Sequence, residues 1–204
     1  MKVVIIGSGG REHALAYKIA ESRQLKKLYC LPGNPGTKSF AENVNITGNE
    51  NILNFCKEKN IDLIVVGPEQ PLVEGLADIL RENGFNVFGP SRLAAQIEGD
   101  KSFSKTLMKK YGIPTATFEV FEKSDYENAL TYLKTKEYPI VIKAFGLAAG
   151  KGVLICESFE ESKLALDECF KNNTFGEAGE KVIIEEFMLG QEASIFAVTD
   201  GTDY

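Results

Sequence analysis

Residues 2–12 read Lys-Val-Val-Ile-Ile-Gly-Ser-Gly-Gly-Arg-Glu. The first part is a short apolar run without polar alternation, which is typical of a strand buried on both faces of a parallel sheet. The glycines that follow suit a tight turn into a helix, which we predict over residues 12–22. This strand, turn and helix predict the first βα unit of an α/β fold.

The same pattern recurs through the first half of the chain. Further strands are predicted at Lys27–Leu31, Leu63–Val66 and Asn86–Phe88, and helices at Glu50–Lys59, Val73–Asn83 and Asp100–Tyr111. Strands spaced by helices predict a parallel, Rossmann-like sheet covered on both faces. The last helix is expected to end at Gly112-Ile113-Pro114, because glycine and proline terminate helices. We therefore predict a first domain over residues 1–112.

Residues 113–204 have a different rhythm, with more strands and fewer helices. Strands are predicted at Thr117–Phe121, Ile140–Ala144, Val153–Cys156, Val182–Glu186 and Ala193–Thr199. Capping boxes that start at Ser124 and Ser158 predict two helices. This half therefore predicts a smaller α+β unit. Asp200-Gly201 is a hairpin turn signal, so a returning strand is expected to begin at Thr202. Because the sequence stops at Tyr204 and would leave that edge unpaired, we expect it to be truncated.

Composition and charge exclude several classes of protein. The chain has 204 residues, 44% hydrophobic and 25% charged, with a net charge of −6. These values predict a globular protein without the basic surface that nucleic-acid binding needs. No apolar run is long enough for a membrane span, and the N-terminus does not resemble a targeting signal. The four cysteines form no C-x-x-C pair, and the chain has only one histidine that could join them as a metal ligand. This predicts reduced core thiols in a cytoplasmic protein without a zinc site.

Three loops fall at the predicted carboxyl ends of strands, where open α/β sheets bind ligands. The loop at Gly7–Glu12 precedes a helix N-terminus, which favours an anion, although a tight turn without a ligand fits this loop equally well. Glu12 stands where a dinucleotide fingerprint has its third glycine, which disfavours an NAD site. The loops at Pro32–Thr37 and Gly67–Pro71 could each be plain turns, but three loops on one edge favour a pocket.

The segment Lys143-Ala-Phe-Gly-Leu-Ala-Ala-Gly-Lys-Gly152 lies between two predicted strands. Its glycines let the backbone approach a phosphate, and its lysines supply positive charge. The glycine spacing differs from that of a Walker A loop, so the segment indicates a phosphate-covering flap, or alternatively a flexible hairpin tip. After Val182–Glu186, the backbone could bind an adenine edge and Glu192 a ribose. Taken alone, that stretch fits a strand end with solvated glutamates better.

Together these segments resemble the ATP-grasp superfamily and, within it, the phosphoribosylamine–glycine ligase family. The resemblance runs in order along the whole chain, through Gly7-Ser-Gly-Gly-Arg-Glu-His-Ala14, Pro32-Gly-Asn34, Val65-Val-Gly-Pro-Glu69 with Pro71-Leu72, Phe88-Gly-Pro90, Ala95-Gln-Ile-Glu-Gly99, Lys101-Ser-Phe-Ser-Lys105, Tyr111-Gly-Ile-Pro-Thr115, Gly146–Val153, Phe175-Gly176 and Glu185-Glu-Phe187. It implies that residues 113–204 are the ATP-grasp small subdomain and the start of an incomplete large subdomain.

The resemblance implies an ATP-dependent carbon–nitrogen ligase of purine synthesis. ATP would phosphorylate the glycine carboxylate, and the amine of 5-phosphoribosylamine would attack the glycyl phosphate to give glycinamide ribonucleotide, ADP and phosphate. The substrates would be small molecules, with no nucleic acid or membrane as partner. The Mg²⁺ ligands and most of the glycine site are expected beyond Tyr204, so the chain alone is expected to be inactive.

Site residues carried over by position form two sets. The ATP-binding set is Lys105, Lys143, Gly146, Gly150, Lys151, Gly152, Glu185, Glu186, Phe187, Met188 and Glu192, and the set on the phosphoribosylamine side is Gly9, Gly10, Arg11, Pro68 and Glu69. Phe145 stands where the family pattern leads us to expect an aspartate. The departure affects the first contact that the phosphate-covering flap would make. Alternatives are another ATP-grasp carboxylate–amine ligase and a non-catalytic nucleotide-binding fragment.

Overall fold

A computed structural model describes residues 1–144, 152–172 and 179–203 of the chain. The contacts divide the chain into two units, Met1–Leu107 and Met108–Tyr204. Each unit has its own sheet and its own hydrophobic core. The division falls inside one helix, and the domain boundary near Gly112 stays a prediction.

The first unit contains a five-stranded parallel sheet with the strand order β3-β2-β1-β4-β5. Its strands are β1 (Lys2–Gly7), β2 (Lys27–Pro32), β3 (Glu42–Asn43), β4 (Leu63–Val66) and β5 (Asn86–Phe88). Its helices are α1 (Gly10–Ala20), α2 (Asn49–Lys59), α3 (Glu69–Val73), α4 (Leu76–Glu82), α5 (Arg92–Gly99) and α6 (Lys101–Tyr111), the last of which crosses the division between the units.

Apolar side chains cover both faces of this sheet, as the unbroken apolar run of β1 predicts. Val4 and Ile6 belong to a core cluster with α2 and α4, whereas Val3 and Ile5 belong to a second cluster with α1. Successive side chains of a strand point to opposite faces, so β1 contributes to two cores at once. The Rossmann-like sheet expected from the sequence is therefore confirmed.

The second unit contains a four-stranded antiparallel sheet with the strand order β6-β9-β7-β8. Its strands are β6 (Phe118–Glu122), β7 (Ile140–Ala144), β8 (Val153–Cys156) and β9 (Lys181–Glu186), and its helices are α7 (Tyr126–Leu133) and α8 (Phe159–Phe170). Buried residues of both helices pack with Ile140, Ile142 and Ile184 in one cluster. The predicted α+β organisation of this half is confirmed.

Four local predictions are wrong. The helix expected over Val73–Asn83 is two helices, α3 and α4, because Gly75 adopts a left-handed conformation with φ of 89°. Helix α5 and strand β3 were not predicted. Ser124 lies in a short 3₁₀ helix that begins after Glu122 rather than capping α7. The fourth concerns residues 193–199, which form no strand and are exposed.

The four cysteines lie in the hydrophobic cores of the two units. All four cysteines are free and buried, and burial raises the pKa of Cys56, Cys156 and Cys169 to about 11. They therefore behave as apolar core residues rather than as reactive thiols. Across the described parts of the chain, no helix is both long and apolar enough to cross a membrane.

Asp167 of α8 forms a charge cluster with Lys163 and Lys171. Burial alone would raise the pKa of this carboxyl, but hydrogen bonds from Lys171, Tyr126 and Lys163 outweigh it and lower the pKa to about 2. The Tyr126 hydroxyl donates to Asp167 Oδ1 at 2.6 Å, and Lys171 Nζ lies 2.7 Å from the same oxygen. The cluster ties α8 to the start of α7.

We expect Asp167→Asn to lower the free energy of unfolding by about 1 kcal/mol at pH 6, because the two lysines are half exposed and water screens the attraction. The folded pKa lies below the unfolded value near 3.8, so the stabilisation is complete above about pH 5 and is lost as the pH falls from about 4 towards 2. Urea unfolding of both proteins between pH 6 and 3 measures this. A difference that stays constant over the range would contradict the assignment.

Candidate functional site

A cavity of about 500 Å³ lies at the edge where β1, β2 and β4 end. Gly9, Arg11 and Pro68 of the predicted substrate set line it, together with Pro32 and Glu74. Parallel strands bring their carboxyl ends to one edge of a sheet, so loops far apart in sequence meet there. The structure thus places the three predicted loops beside one cavity.

Arg11 and Glu69 are joined by a two-pronged ion pair across this edge. The Arg11 guanidinium donates to Glu69 Oε1 at 2.7 Å and to Oε2 at 3.1 Å. This hydrogen bond is the main reason that the pKa of Glu69 is lowered and that of Arg11 is raised. Both side chains remain partly exposed, so the pair is a rim feature that a ligand can reach.

Asn34 ties the loop after β2 to the loop after β1. Its side-chain amide donates to the carbonyls of Ser8 and Gly9, each at 3.0 Å. Its Oδ1 accepts from the backbone of Gly36 and Thr37. Asn34 was part of the resemblance but was given no role in the sequence analysis. The signal was available, because asparagine in a glycine- and proline-rich turn commonly bonds nearby backbone.

In the second unit, the sheet holds Lys143 of β7 next to Glu185 of β9. Val141 is opposite Glu185 and Lys143 is opposite Ile183, so the two charged side chains share one face of the sheet. Lys143 Nζ lies 2.7 Å from Glu185 Oε2, and the Glu185 side chain is only 4% exposed. The predicted phosphate-binding lysine is therefore already neutralised by a buried carboxylate.

The predicted adenine contacts lie at the end of β9, with Glu185 and Glu186 in the strand and Phe187 and Met188 after it. Glu186 is fixed at the strand end, since its backbone N–H donates to the Thr117 carbonyl and its carboxylate accepts from the Thr117 N–H, both at 3.0 Å. Phe187 and Glu186 also line a cavity of about 400 Å³ with Tyr138. Met188 and Glu192 are exposed.

The remaining predicted ATP-binding residues are placed only in part. Gly152 is buried, and its carbonyl accepts from the Ala144 N–H at 2.8 Å, which continues the ladder between β7 and β8. Lys105 lies on α6. Gly146, Gly150 and Lys151 fall outside the described residues, as does Phe145.

No metal site was assigned within the chain. Over the residues that the structure describes, no group of three or more histidine, cysteine, aspartate or glutamate side chains could hold a metal ion. The roles of the individual site residues stay predictions.

Two family profiles match the chain in order. The profile described as "Phosphoribosylglycinamide synthetase, N domain" matches residues 1–98. The profile described as "Phosphoribosylglycinamide synthetase, ATP-grasp (A) domain" matches residues 99–204, which is more than half of the chain. The resemblance found in the sequence is confirmed.

Curated relatives and a solved structure agree with these matches. The chain is 50% identical over 203 residues to a phosphoribosylamine–glycine ligase of Clostridium acetobutylicum, covering 98% of this chain and 48% of that protein. It is 53% identical over 204 residues to one of Mesorhizobium japonicum, covering 99% and 47%. The crystal structure of phosphoribosylamine–glycine ligase from Thermotoga maritima has a TM-score of 0.76 at 36% identity, covering 94% of this chain and 45% of that one. The chain thus spans about half the length of the curated relatives it matches.

We expect Arg11→Ala to raise the pKa of Glu69 towards its ordinary value, because the mutation removes the hydrogen bond that lowers it. Stability should change by less than about 1 kcal/mol, since the pair is largely exposed. Carbon-13 NMR titration of the Glu69 carboxyl measures the shift, and Lys18→Ala, which leaves the edge of the sheet untouched, serves as the control. An unchanged Glu69 titration would show that the ion pair does not persist in solution.

Proposed function

Because the chain belongs to the phosphoribosylglycinamide synthetase family, we propose that it is the N-terminal part of an ATP-dependent ligase that joins glycine to 5-phosphoribosylamine. In this reaction ATP phosphorylates the glycine carboxylate, and the phosphoribosylamine nitrogen then attacks the acyl phosphate. The products are glycinamide ribonucleotide, ADP and phosphate. The observation that carries the proposal is the ordered match of both family profiles over residues 1–204.

The first unit would bind the phosphoribosylamine side. Its cavity lies at the carboxyl ends of parallel strands, where such sheets bind ligands. Arg11 supplies a cation, and Glu69 and Glu74 supply acceptors for hydroxyl or amine hydrogens. Gly9 lines the cavity without a side chain, and Pro68 lines it with its ring, while Gly10 follows Gly9 at the start of α1.

The second unit would bind ATP. Lys143 would exchange all or part of its contact with Glu185 for a contact with a phosphate, which concentrates positive charge on the transferring group. The backbone after Glu185, through Met188, would follow the adenine edge, and Glu192 would accept from the ribose. The glycine-rich segment from Gly146 to Gly152, which includes Gly150 and Lys151, would supply further phosphate contacts. Lys105, on the part of α6 that belongs to the first unit, stays a predicted ATP-binding residue.

Magnesium belongs to the proposal only through the family. When bound, it would neutralise the triphosphate of ATP. Since the described residues provide no acidic cluster for a metal, we assign it no ligand in this chain. The cytoplasm stays the proposed location, because the substrates of purine synthesis are small soluble molecules.

The activity can be tested in a chimera in which residues 1–204 replace the matching segment of the Clostridium acetobutylicum relative. We expect release of ADP that depends on both glycine and phosphoribosylamine, and none from the 204-residue chain alone. The relative itself is the positive control. A stable chimera that hydrolyses ATP with no need for glycine would contradict the proposed reaction.

We expect Lys143→Ala to weaken binding of a non-hydrolysable ATP analogue about tenfold to hundredfold, since a charge-assisted contact contributes about 1.5–3 kcal/mol. Calorimetric titration of the chimera at fixed salt and magnesium measures the change. Lys123→Ala, at an exposed lysine of the same unit, is the matched control and should bind normally.

The same substitution leaves the buried Glu185 carboxylate without the Lys143 ammonium, so it should also destabilise the unit. Lys143→Ala combined with Glu185→Gln separates the two effects. The double variant should regain stability and still bind the analogue weakly. Recovery of normal affinity in the double variant would mean that Lys143 acts on the fold rather than on a phosphate.

A further inference from the structure

Glu12 is the most deeply buried carboxylate of the first unit, yet it lies in the first turn of α1. The residue is 3% exposed. Its side chain turns back beneath the loop after β1, where Oε2 accepts from the Gly9 N–H at 2.5 Å. A carboxylate at this third helical position satisfies a backbone donor that the helix itself leaves unpaired. Glu12 therefore joins the helix to the loop that precedes it.

Three glycines surround the Glu12 carboxylate. A methyl group added at Gly7 would lie 2.7 Å from the Glu12 side chain, one at Gly9 would lie 2.9 Å from it, and one at Gly67 would lie 2.1 Å from Oε1. Gly7 ends β1 and Gly67 follows β4, and the two strands are paired neighbours. The carboxylate thus fills the space between two adjacent strand ends, at the edge that forms the cavity.

The Gly9 peptide groups are held from both sides. Glu12 takes the Gly9 N–H, while the Gly9 carbonyl accepts from the Asn34 side chain at 3.0 Å and from the His13 N–H at 3.2 Å. The Gly9 N–H is consequently not available to a ligand. Gly9 contributes the shape of the loop instead.

One oxygen of Glu12 has no hydrogen-bond partner. Oε1 is buried and accepts no hydrogen bond from any described residue. A buried acceptor without a donor is costly, and such groups in native proteins call for an explanation. The residue that carries this unpaired oxygen lines the cavity, next to Arg11.

We infer that Glu12 is a positioning residue for the substrate-side cavity, fixing the loop from Gly7 to Gly10 so that Arg11 faces Glu69 and the bound sugar phosphate. This inference rests on the proposed function. Glu12 need not touch the ligand, because its effect passes through the Gly9 peptide. The length of the side chain matters as much as its charge, since the carboxylate must reach back from the helix to Gly9.

Ribose 5-phosphate, a stable substitute for phosphoribosylamine, tests the inference with the 204-residue chain. Nitrogen-15 NMR titration follows the amides of residues 7–11 and 67–69. We expect Glu12→Ala and Glu12→Asp to raise the dissociation constant about tenfold, equivalent to about 1.4 kcal/mol. Glu12→Gln should stay within about threefold of the parent chain, because its amide oxygen can still accept from Gly9.

Two controls separate positioning from stability. Glu21→Ala removes an exposed carboxylate from the other end of α1. Val87→Ala removes apolar contacts at β5, away from the cavity, from the core cluster that also contains Ile6. Both should bind ribose 5-phosphate normally. If Glu12→Ala does not fold, Glu12→Asp and Glu12→Gln decide the question, and equal affinity in these two variants overturns the inference.

The outcomes also distinguish this inference from the proposed function. If the parent chain shows no loop shifts with ribose 5-phosphate, both fail. If the parent binds and every folded Glu12 variant binds equally well, only the inference fails. Gly67→Ala gives an independent check, because it should destabilise the parent chain far more than the Glu12→Ala background. Equal destabilisation in both backgrounds would place the carboxylate elsewhere and overturn the inference.

Discussion

The hydrogen-bond ladders that pair β1 with β2 on one side and with β4 on the other organise the first unit. Their register aligns Ile6 with Leu31 and Val66, so the three strands reach the same edge together. Because β1 is buried on both faces, a shift of one residue would exchange the side chains that pack into the two cores. The positions of the loops that begin at Gly7, Pro32 and Gly67 follow from that constraint.

In the second unit, β9 is paired on both sides and has the corresponding role. It holds β6 and β7 in register, and through β7 it sets Lys143 diagonally across from Glu185. A buried ion pair is a poor source of stability, because desolvation offsets much of the attraction. On the face that carries the predicted phosphate-binding lysine, the pair orients the Lys143 side chain towards Glu185. The same strand then leads into Phe187 and Met188.

Sequence patterns predicted the helices and strands that depend on neighbouring residues in the chain. They missed the features that depend on tertiary contacts. The apolar runs of β1 and β4 identify buried strands, because any neighbour will cover them. Gly75 could equally have continued a helix, and only the tertiary structure imposes its left-handed conformation. The strand expected over residues 193–199 needs a partner, and alternation within one segment does not supply it. For the site, the resemblance named Arg11 and Glu69, but only the folded edge shows them bonded to each other.

Glu12 shows why a sequence motif and its chemistry can diverge. The turn after β1 departs from the dinucleotide fingerprint at Glu12, where a glycine would let the helix pack closely on the strand. Here the side chain occupies that space, and the absence of side chains at Gly7 and Gly67 makes room for it. The glycines that remain in the motif therefore serve a buried carboxylate as well as a tight turn. In the sequence, Glu12 appears only as a missing glycine. In the structure, the Gly9 N–H of the loop is paired with the Glu12 carboxylate. The loop therefore has a fixed shape in place of a more open anion-binding turn.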